Sequence, residues 1–167
     1  MSERSLFLST AGYAMKNLFQ RSLDDYARYH RDPKNKLTHY LGIPIIVFAV
    51  VVFLRLIQGP QLAGINLDGA LMAMIPIGIF YLALNLGTGL GMMLIFALMY
   101  ALAPSVGTTL ALILFIGGWV LQFIGHYFEG KKPAFFKNGV HLLIGPLWVL
   151  NDFYARLHLP AYTPEKA

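Results

Sequence analysis

The sequence predicts an all-α polytopic membrane helix bundle, and two features of its composition carry that prediction. Of its 167 residues, 57% are hydrophobic and 13% are charged, which is about half the charged share of a soluble protein. No Asp, Glu, Lys or Arg occurs in the sixty positions from Gly69 to Phe128, or in the 18 positions from Leu37 to Leu54. Because a membrane-crossing helix needs about 20 mostly apolar residues, we expect several crossings within a single membrane domain, residues 1–167.

The N-terminal region, residues 1–36, is predicted to lie at the membrane surface. It holds seven of the thirteen Lys and Arg residues, and no uncharged stretch there has the length of a signal-peptide core. Between residues 18 and 29, apolar or aromatic side chains alternate with charged ones at helical spacing, which predicts an amphipathic interfacial helix. Asp32-Pro33 should end this helix, since proline restricts the residue before it and has no N–H to donate. We therefore expect Asn35 in or beside a turn.

Four spans are predicted to follow, separated by glycine- and proline-containing breaks. Prolines and glycines also occur inside the spans, where membrane helices tolerate them and use small residues for close packing. The predicted breaks are Gly59-Pro60, Gly87-Thr88-Gly89 and Pro104-Ser105, and the spans cover about 37–56, 69–86, 90–104 and 108–127.

A further apolar stretch, residues 140–150, lies in the C-terminal return, residues 128–167. It has only 11 residues and contains Gly145-Pro146, so we interpret it as re-entrant or interfacial. A count of five spans is the alternative.

The distribution of basic residues predicts that both termini are cytoplasmic. Four crossings return the chain to its starting side, and the flanks on that side carry eight Lys or Arg residues against one on the other. The eight are Arg21, Arg28, Arg31, Lys34, Lys36, Lys131, Lys132 and Lys137, and the one is Arg55. An integral protein of a bacterial inner membrane or of the endoplasmic reticulum is expected.

The net charge of +5 and the absence of cysteine limit the partners and the chemistry. In so apolar a chain, basic loops are expected to face anionic membrane lipid, and we expect no nucleic-acid partner. Without cysteine there is no disulfide, thiolate metal site, iron–sulfur cluster or thiol nucleophile. Any metal must therefore be bound by histidine, carboxylate or amide groups.

Several polar residues are predicted to meet on one side of the membrane. His126 and Glu129 stand three positions apart at the end of the last span, a spacing that puts both on one helix face and suits a shared metal ion. Gln122 lies one turn earlier on the same row. His30 and His39 flank the proline-containing elbow, and the parity of the crossings brings them to the same side.

Two interpretations of these histidines stay open at this point. A single histidine at a membrane interface is more often an anchor or a hydrogen-bonded core residue than a metal ligand. Three that converge at membrane depth favour a function, because ionisable groups are costly there. His141 is a further candidate on the same side, and His158 near the C-terminus is expected to be solvated.

Two stretches of the sequence resemble the 2-hydroxy fatty acid dioxygenase family. They are residues 29–44, YHRDPKNKLTHYLGIP, and residues 119–129, WVLQFIGHYFE, and the resemblance extends over about residues 20–157. It implies a membrane enzyme that uses iron(II) and dioxygen to shorten a long-chain 2-hydroxy fatty acid by one carbon, as in fatty acid α-oxidation and sphingolipid degradation.

The resemblance also implies roles for individual residues. His30, His39 and His126 are the expected iron ligands, whereas His141, a lesser candidate because of its position on the same side, falls where a histidine is not expected throughout the family. Glu129 is a ligand or a nearby base, and Asn35 and Gln122 support the site. The substrate carboxylate is expected to be attracted by Arg31, Lys131 or Lys132.

Two other classes of protein are weighed against this enzyme. A small membrane transporter could use the proline and glycine breaks, but the spans offer few polar groups near their midpoints, where ion routes usually place ionisable residues. A scaffold protein with a structural metal site is the second alternative. The sequence leaves the oligomeric state and the acyl-chain length of the substrate open.

Overall fold

The structure is a computed structural model that describes residues 3–133 and 139–162, with side chains described from residue 12 onward. The described part is helical apart from one small hairpin, which agrees with the predicted all-α class. Lys137, one of the basic residues used to predict orientation, lies outside the described residues. In chain order the elements are α1 Glu3–Arg28, α2 Pro33–Arg55, β1 Gln61–Leu62, β2 Ile65–Asn66, α3 Gly69–Leu84, α4 Leu86–Leu102, a 3₁₀ turn Ala103–Ser105, α5 Thr108–Glu129 and α6 His141–Arg156.

The turn between α1 and α2 is fixed by a helix cap. The Asp32 carboxylate accepts hydrogen bonds from the backbone N–H groups of Lys34 and Asn35, at 2.7 and 3.3 Å, and Pro33 occupies the first helical position. Both are favoured at a helix N-terminus, because they satisfy or remove donors that have no partner within the helix. The predicted break at Asp32-Pro33 is therefore correct, but α2 starts four residues before the predicted span. Asn35 lies in the first turn of α2.

The predicted break at Gly87-Thr88-Gly89 is wrong, because α4 already begins at Leu86. The side-chain oxygen of Asn85 accepts two hydrogen bonds from Thr88, one from its backbone N–H at 3.0 Å and one from the Thr88 hydroxyl at 3.1 Å. This side-chain cap starts the helix, so the break is a single extended residue, Asn85, and the three-residue segment forms the first turn of α4.

Three helical segments within the described residues are long and apolar enough to cross a membrane, and they indicate a membrane protein. They are Pro33–Arg55, Leu86–Ser105 and Thr108–Glu129. The remaining predicted span corresponds to α3, whose 16 residues fall short of the length that a perpendicular crossing needs. The four-span topology stays a prediction.

The α2 and α5 helices pack closely along a row of glycines. A Cβ added to Gly118 would come within 2.6 Å of Ile46 and 3.1 Å of the Gly42 carbonyl oxygen. One added to Gly42 would meet the Gln122 amide and the Gly118 backbone. Gly42 and Gly118, which we expected to allow close helix packing, thus bring α2 and α5 close enough for side chains at their ends to meet.

The helices α1 and α6 pack against the same end of the bundle. Leu23 and Tyr26 of α1 and Leu147 and Trp148 of α6 are buried together in its core. The apolar stretch 140–150 is thus part of a regular helix that contains Pro146 and continues to Arg156. The predicted stretch, residues 140–150, therefore ended before the C-terminal end of the helix, which lies at Arg156.

The opposite end of α2 carries the short antiparallel hairpin, which the sequence analysis did not predict. Arg55 lies 3.7 Å from the Asp68 carboxylate and donates a hydrogen bond to the Tyr100 carbonyl oxygen at 2.7 Å. The Tyr100 hydroxyl donates to Asp68 at 2.8 Å. This network ties α2, α3 and α4 together at the end of the bundle away from the histidines.

Candidate metal centre

Three histidines from three separate parts of the chain meet in the structure. His30 comes from the turn after α1, His39 from the second turn of α2, and His126 from the last turn of α5. Each offers one ring nitrogen such that all three nitrogens lie within 4.8 Å of one another. The rings are buried, with 1%, 1% and 7% of their residues' surfaces exposed. The convergence that the sequence analysis predicted is therefore observed.

Two of the imidazoles are oriented by backbone carbonyl oxygens one helical turn earlier. His30 Nδ1 lies 2.7 Å from the Tyr26 carbonyl oxygen, and His39 Nδ1 lies 2.9 Å from the Asn35 carbonyl oxygen. A neutral histidine that donates Nδ1–H to a carbonyl keeps the lone pair on Nε2, which is the usual arrangement around a protein-bound metal. Both rings are thus held with Nε2 available.

The third imidazole reaches the cluster because the preceding residue is a glycine. A Cβ on Gly125 would overlap the Thr38 hydroxyl and lie 2.6 Å from Asn35 Oδ1 and 3.0 Å from His39 Nδ1. Any larger side chain there would push α5 away from the first turns of α2. Gly125 therefore sets the distance between His126 and His39.

The donor set fits a metal ion that prefers nitrogen ligands. Among the described residues, His30 Nε2 and His126 Nδ1 are buried nitrogens without a hydrogen-bond partner, which is uncommon in a folded protein. Burial, with a smaller contribution from His39, lowers the pKa of His30 to about 2, so this imidazole is neutral and able to ligate at physiological pH. Imidazole groups suit iron, zinc, copper and nickel.

Glu129 lies beside the cluster but is not part of it. Its Oε2 accepts three hydrogen bonds, from the backbone N–H of Arg31 at 2.9 Å, from that of Asp32 at 2.8 Å and from Asn35 Nδ2 at 3.0 Å. Among the described residues, no carboxylate belongs to the group that offers metal ligands within 4.8 Å. The structure therefore places Glu129 as a clamp on the turn that carries His30, and not as the metal ligand that was considered for it.

The two amide side chains expected to support the site do so differently. Asn35 is fully buried and donates from Nδ2 to both Glu129 and the Tyr29 carbonyl oxygen, so it links the turn to α5. Gln122 lines the histidine cavity, and its buried Nε2 has no hydrogen-bond partner within the described part of the chain. It is a donor available to a ligand in that cavity.

The remaining predicted site residues lie further out. His141 borders the cavity and its Nε2 is 2.8 Å from the Asp25 carboxylate, but it is not one of the three histidines whose nitrogens lie within 4.8 Å of one another. Arg31, Lys131 and Lys132 are exposed, and none of the three lines the cavity. Lys131 donates to the Arg28 carbonyl oxygen at 2.9 Å.

The cavity in front of the histidines is small, about 70 Å³. Besides the three histidines and Gln122, its walls are mostly apolar or aromatic groups, including Trp119 and Ile46. It has room for a small polar head group among nitrogen donors but not for a long apolar molecule.

Comparison with known proteins agrees with the two motifs that carry the histidines. A family described as "2-hydroxy-palmitic acid dioxygenase Mpo1-like" matches residues 16–157. This chain belongs to the Mpo1-like family. It is 34% identical to the 2-hydroxy-palmitic acid dioxygenase MPO1 of Saccharomyces cerevisiae over 138 residues, which cover 79% of this chain and 77% of that protein. No solved structure gives a significant match.

The structure of this Mpo1-like protein also shows residues that the sequence analysis missed. Tyr26 stacks on His30, with ring centroids 4.1 Å apart and planes 4° from parallel, and Trp148 packs against both rings. Tyr26 precedes His30 by four residues, a helical spacing that could have indicated the contact. No local signal connects Trp148 or the Asp25–His141 pair to the site.

Proposed function

We propose that this protein is an iron(II)-dependent dioxygenase that shortens 2-hydroxy fatty acids by one carbon in a membrane. The observation that carries the proposal is the set of three buried imidazoles whose nitrogens lie within 4.8 Å of one another, two of them with a ring nitrogen that has no hydrogen-bond partner among the described residues. Membership of a family with a named 2-hydroxy-palmitic acid dioxygenase supports the choice of substrate and of dioxygen. His30, His39 and His126 would hold the iron.

The overall reaction needs no second redox cofactor. A 2-hydroxy acid and dioxygen give the acid one carbon shorter, carbon dioxide and water. The two carbons at the reacting end lose four electrons together, and dioxygen accepts four. Iron(II), which His30, His39 and His126 would hold, would supply the activation of dioxygen.

The residues of this chain position the reacting groups. The backbone carbonyl oxygens of Tyr26 and Asn35 hold two imidazoles in the ligating tautomer. Gln122 Nε2, a buried donor with no partner among the described residues, would donate to the carboxylate or hydroxyl oxygen of the substrate. The three imidazoles are buried, which would limit the access of water to the reacting groups.

We assign Glu129 a positioning role in this proposal. With three donors on one oxygen, its carboxylate is engaged in holding the His30 turn and is a poor base for the substrate hydroxyl. The exposed Arg31, Lys131 and Lys132 lie near this turn, and we propose that they attract the anionic substrate before it enters. We also propose that the turn lies on the cytoplasmic side, which the basic flanks support.

The test is anaerobic reconstitution of the purified full-length protein with iron(II), followed by oxygen uptake and product analysis with 2-hydroxypalmitic acid. We expect stoichiometric iron and the acid one carbon shorter. His39→Ala and His126→Ala should each lose iron and turnover while the protein still purifies as a folded species. The control is His158→Asn, because His158 is exposed, has a φ of +56° that asparagine tolerates, and lies outside the cluster. Full activity of either alanine variant would refute the assignment.

A further inference from the structure

A second, larger cavity adjoins the histidine cavity. Its volume is about 330 Å³, which is within the usual range for sites that bind small molecules. It lies between α2, α4 and α6, and its walls are largely apolar, with Val47, Ile95, Met99, Val149 and Leu150 among them. We refer to it as the α2–α4–α6 groove.

The groove and the histidine cavity share three wall residues. Ile43 and Val47 of α2 and Pro146 of α6 line both. The two cavities are therefore adjacent, and a molecule with its head among the histidines would pass these side chains to reach the groove. A third cavity, of about 240 Å³, shares His141 with the histidine cavity, but its walls include the charged residues Arg21 and Asp25.

The two ends of the groove differ in polarity. At one end Tyr40 donates a hydrogen bond to the Asp152 carboxylate at 2.7 Å, and Arg156 Nε donates to the same carboxylate at 2.8 Å. At the other end, two turns further along α4 from Met92, lies Met99. The polar trio is satisfied by its own hydrogen bonds, so an apolar chain is expected to extend away from it.

We propose that the α2–α4–α6 groove binds the acyl chain of the substrate, with the chain passing Ile43, Val47 and Pro146 and its tail directed toward Met99. Met99 then limits the chain length that the protein accepts. This inference rests on the proposed function, because it needs the head group of a 2-hydroxy acid to lie among the histidines. The volume and lining of the groove supply the rest: an unbranched apolar chain fits an apolar space that lies beside the small histidine cavity.

The experiment measures turnover of 2-hydroxy acids of increasing chain length by three variants of the iron-loaded protein. Met99→Trp fills the far end of the groove and should lower turnover of the longest accepted acids at least tenfold, while that of the shortest stays within twofold of the unmodified protein. Met99→Ala enlarges the same end and should shift the preference toward longer acids. The matched control is Leu98→Trp, at the adjacent position of α4, whose side chain is 56% exposed and points away from the groove. It should keep the original profile.

Binding of a fluorescent long-chain fatty acid, measured on the same samples, separates the two proposals. Turnover with an unchanged length profile in both Met99 variants, or an equal shift in Leu98→Trp, would overturn the assignment of the groove. If the unmodified protein converts no 2-hydroxy acid but Met99→Trp still weakens binding of the fluorescent acid at least tenfold relative to Leu98→Trp, the proposed function fails and the groove remains an acyl site. If binding is equal in all variants as well, both fail.

Discussion

The clamp formed by Glu129 gives the sharpest prediction about the metal centre. Replacing Glu129 with glutamine keeps the size of the side chain and one acceptor oxygen but removes the negative charge. The three donors that now meet Oε2 all belong to the turn that carries His30 or to the start of α2. Glu129→Gln should therefore loosen that turn and lower the affinity for iron, with no direct loss of a metal ligand.

The size of the effect follows from the three hydrogen bonds. A bond to a charged acceptor contributes roughly 1 kcal/mol more than a bond to a neutral one. The bond from the Arg31 N–H is exposed to water and contributes less, whereas the other two are partly buried, so the total is about 2 kcal/mol. Since about 1.4 kcal/mol corresponds to a factor of ten, iron affinity should fall by up to roughly 30-fold.

The assay is a competition titration of iron(II) against a chelator under anaerobic conditions, combined with turnover at saturating iron. We expect weaker iron binding and turnover within twofold of the unmodified protein once iron is saturating. The matched control is Asp24→Asn, another partly buried carboxylate, which accepts hydrogen bonds from the Tyr162 hydroxyl and lies away from the histidines. It should leave iron affinity unchanged. Normal iron affinity with lost turnover would show that Glu129 acts on the substrate, and our reasoning would be wrong.

Three further predictions concern packing, capping and metal binding. Gly125→Ala should destabilise the protein by about 1–3 kcal/mol and weaken iron binding, as measured by melting and titration experiments. Gly117→Ala, whose Cβ would meet nothing within 4 Å, should do neither. Equal effects of the two substitutions would contradict the close approach of α5 to α2 at Gly125. Asn85→Ala removes the cap of α4 and should lower the free energy of unfolding by about 1 kcal/mol, which corresponds to a melting temperature lower by about 2–4 °C, with unchanged iron affinity. An unchanged melting temperature would argue against the cap. Iron(II) at about 100 times its dissociation constant should add about 2.7 kcal/mol of stability, and His39→Ala should abolish the resulting rise in melting temperature; a rise that persists would place the iron elsewhere.

The three histidines could be predicted from the sequence because simple rules connect them. His126 ends an uncharged stretch long enough to be a helix, and His30 and His39 flank a proline that breaks one. Counting crossings then puts all three at the same end of the bundle. The helix period explains why Gln122 shares their cavity, since it precedes His126 by four residues.

The role of Glu129 could not be predicted in the same way. Its spacing from His126 indicates a shared helix face, and that pattern suits a metal ligand as well as a clamp. What decides between them is contact with Arg31, Asp32 and Asn35, which lie more than ninety positions earlier in the chain. Such pairings depend on how α2 packs on α5 and leave no trace in local spacing.

The start of α4 shows a second limit of sequence reasoning. Three consecutive residues that include Gly87 and Gly89 predict a loop, because glycine is a poor helix former. In the structure a Cβ on Gly89 would lie 2.7 to 2.8 Å from backbone atoms of Leu82 and Tyr81, so this glycine allows α3 and α4 to meet at a sharp corner. The low helix propensity of Gly87 and Gly89 is outweighed by the packing of two adjacent helices and by the Asn85 cap.

The arrangement of the three proposed ligands explains why the clamp is needed. His39 and His126 project from long helices held together by the glycine row, so their positions follow from the packing of α2 on α5. His30 lies in the turn after α1, beyond the regular helix, where its backbone N–H donates to the Ala27 carbonyl oxygen at 3.1 Å. Its ring is held by the Tyr26 carbonyl oxygen and by stacking on the Tyr26 ring, and the next two backbone N–H groups are held by Glu129. Because Glu129 follows His126 by one helical turn, the end of α5 both supplies one proposed ligand and fixes the turn that carries another, so the proposed site requires the spacing of the two residues.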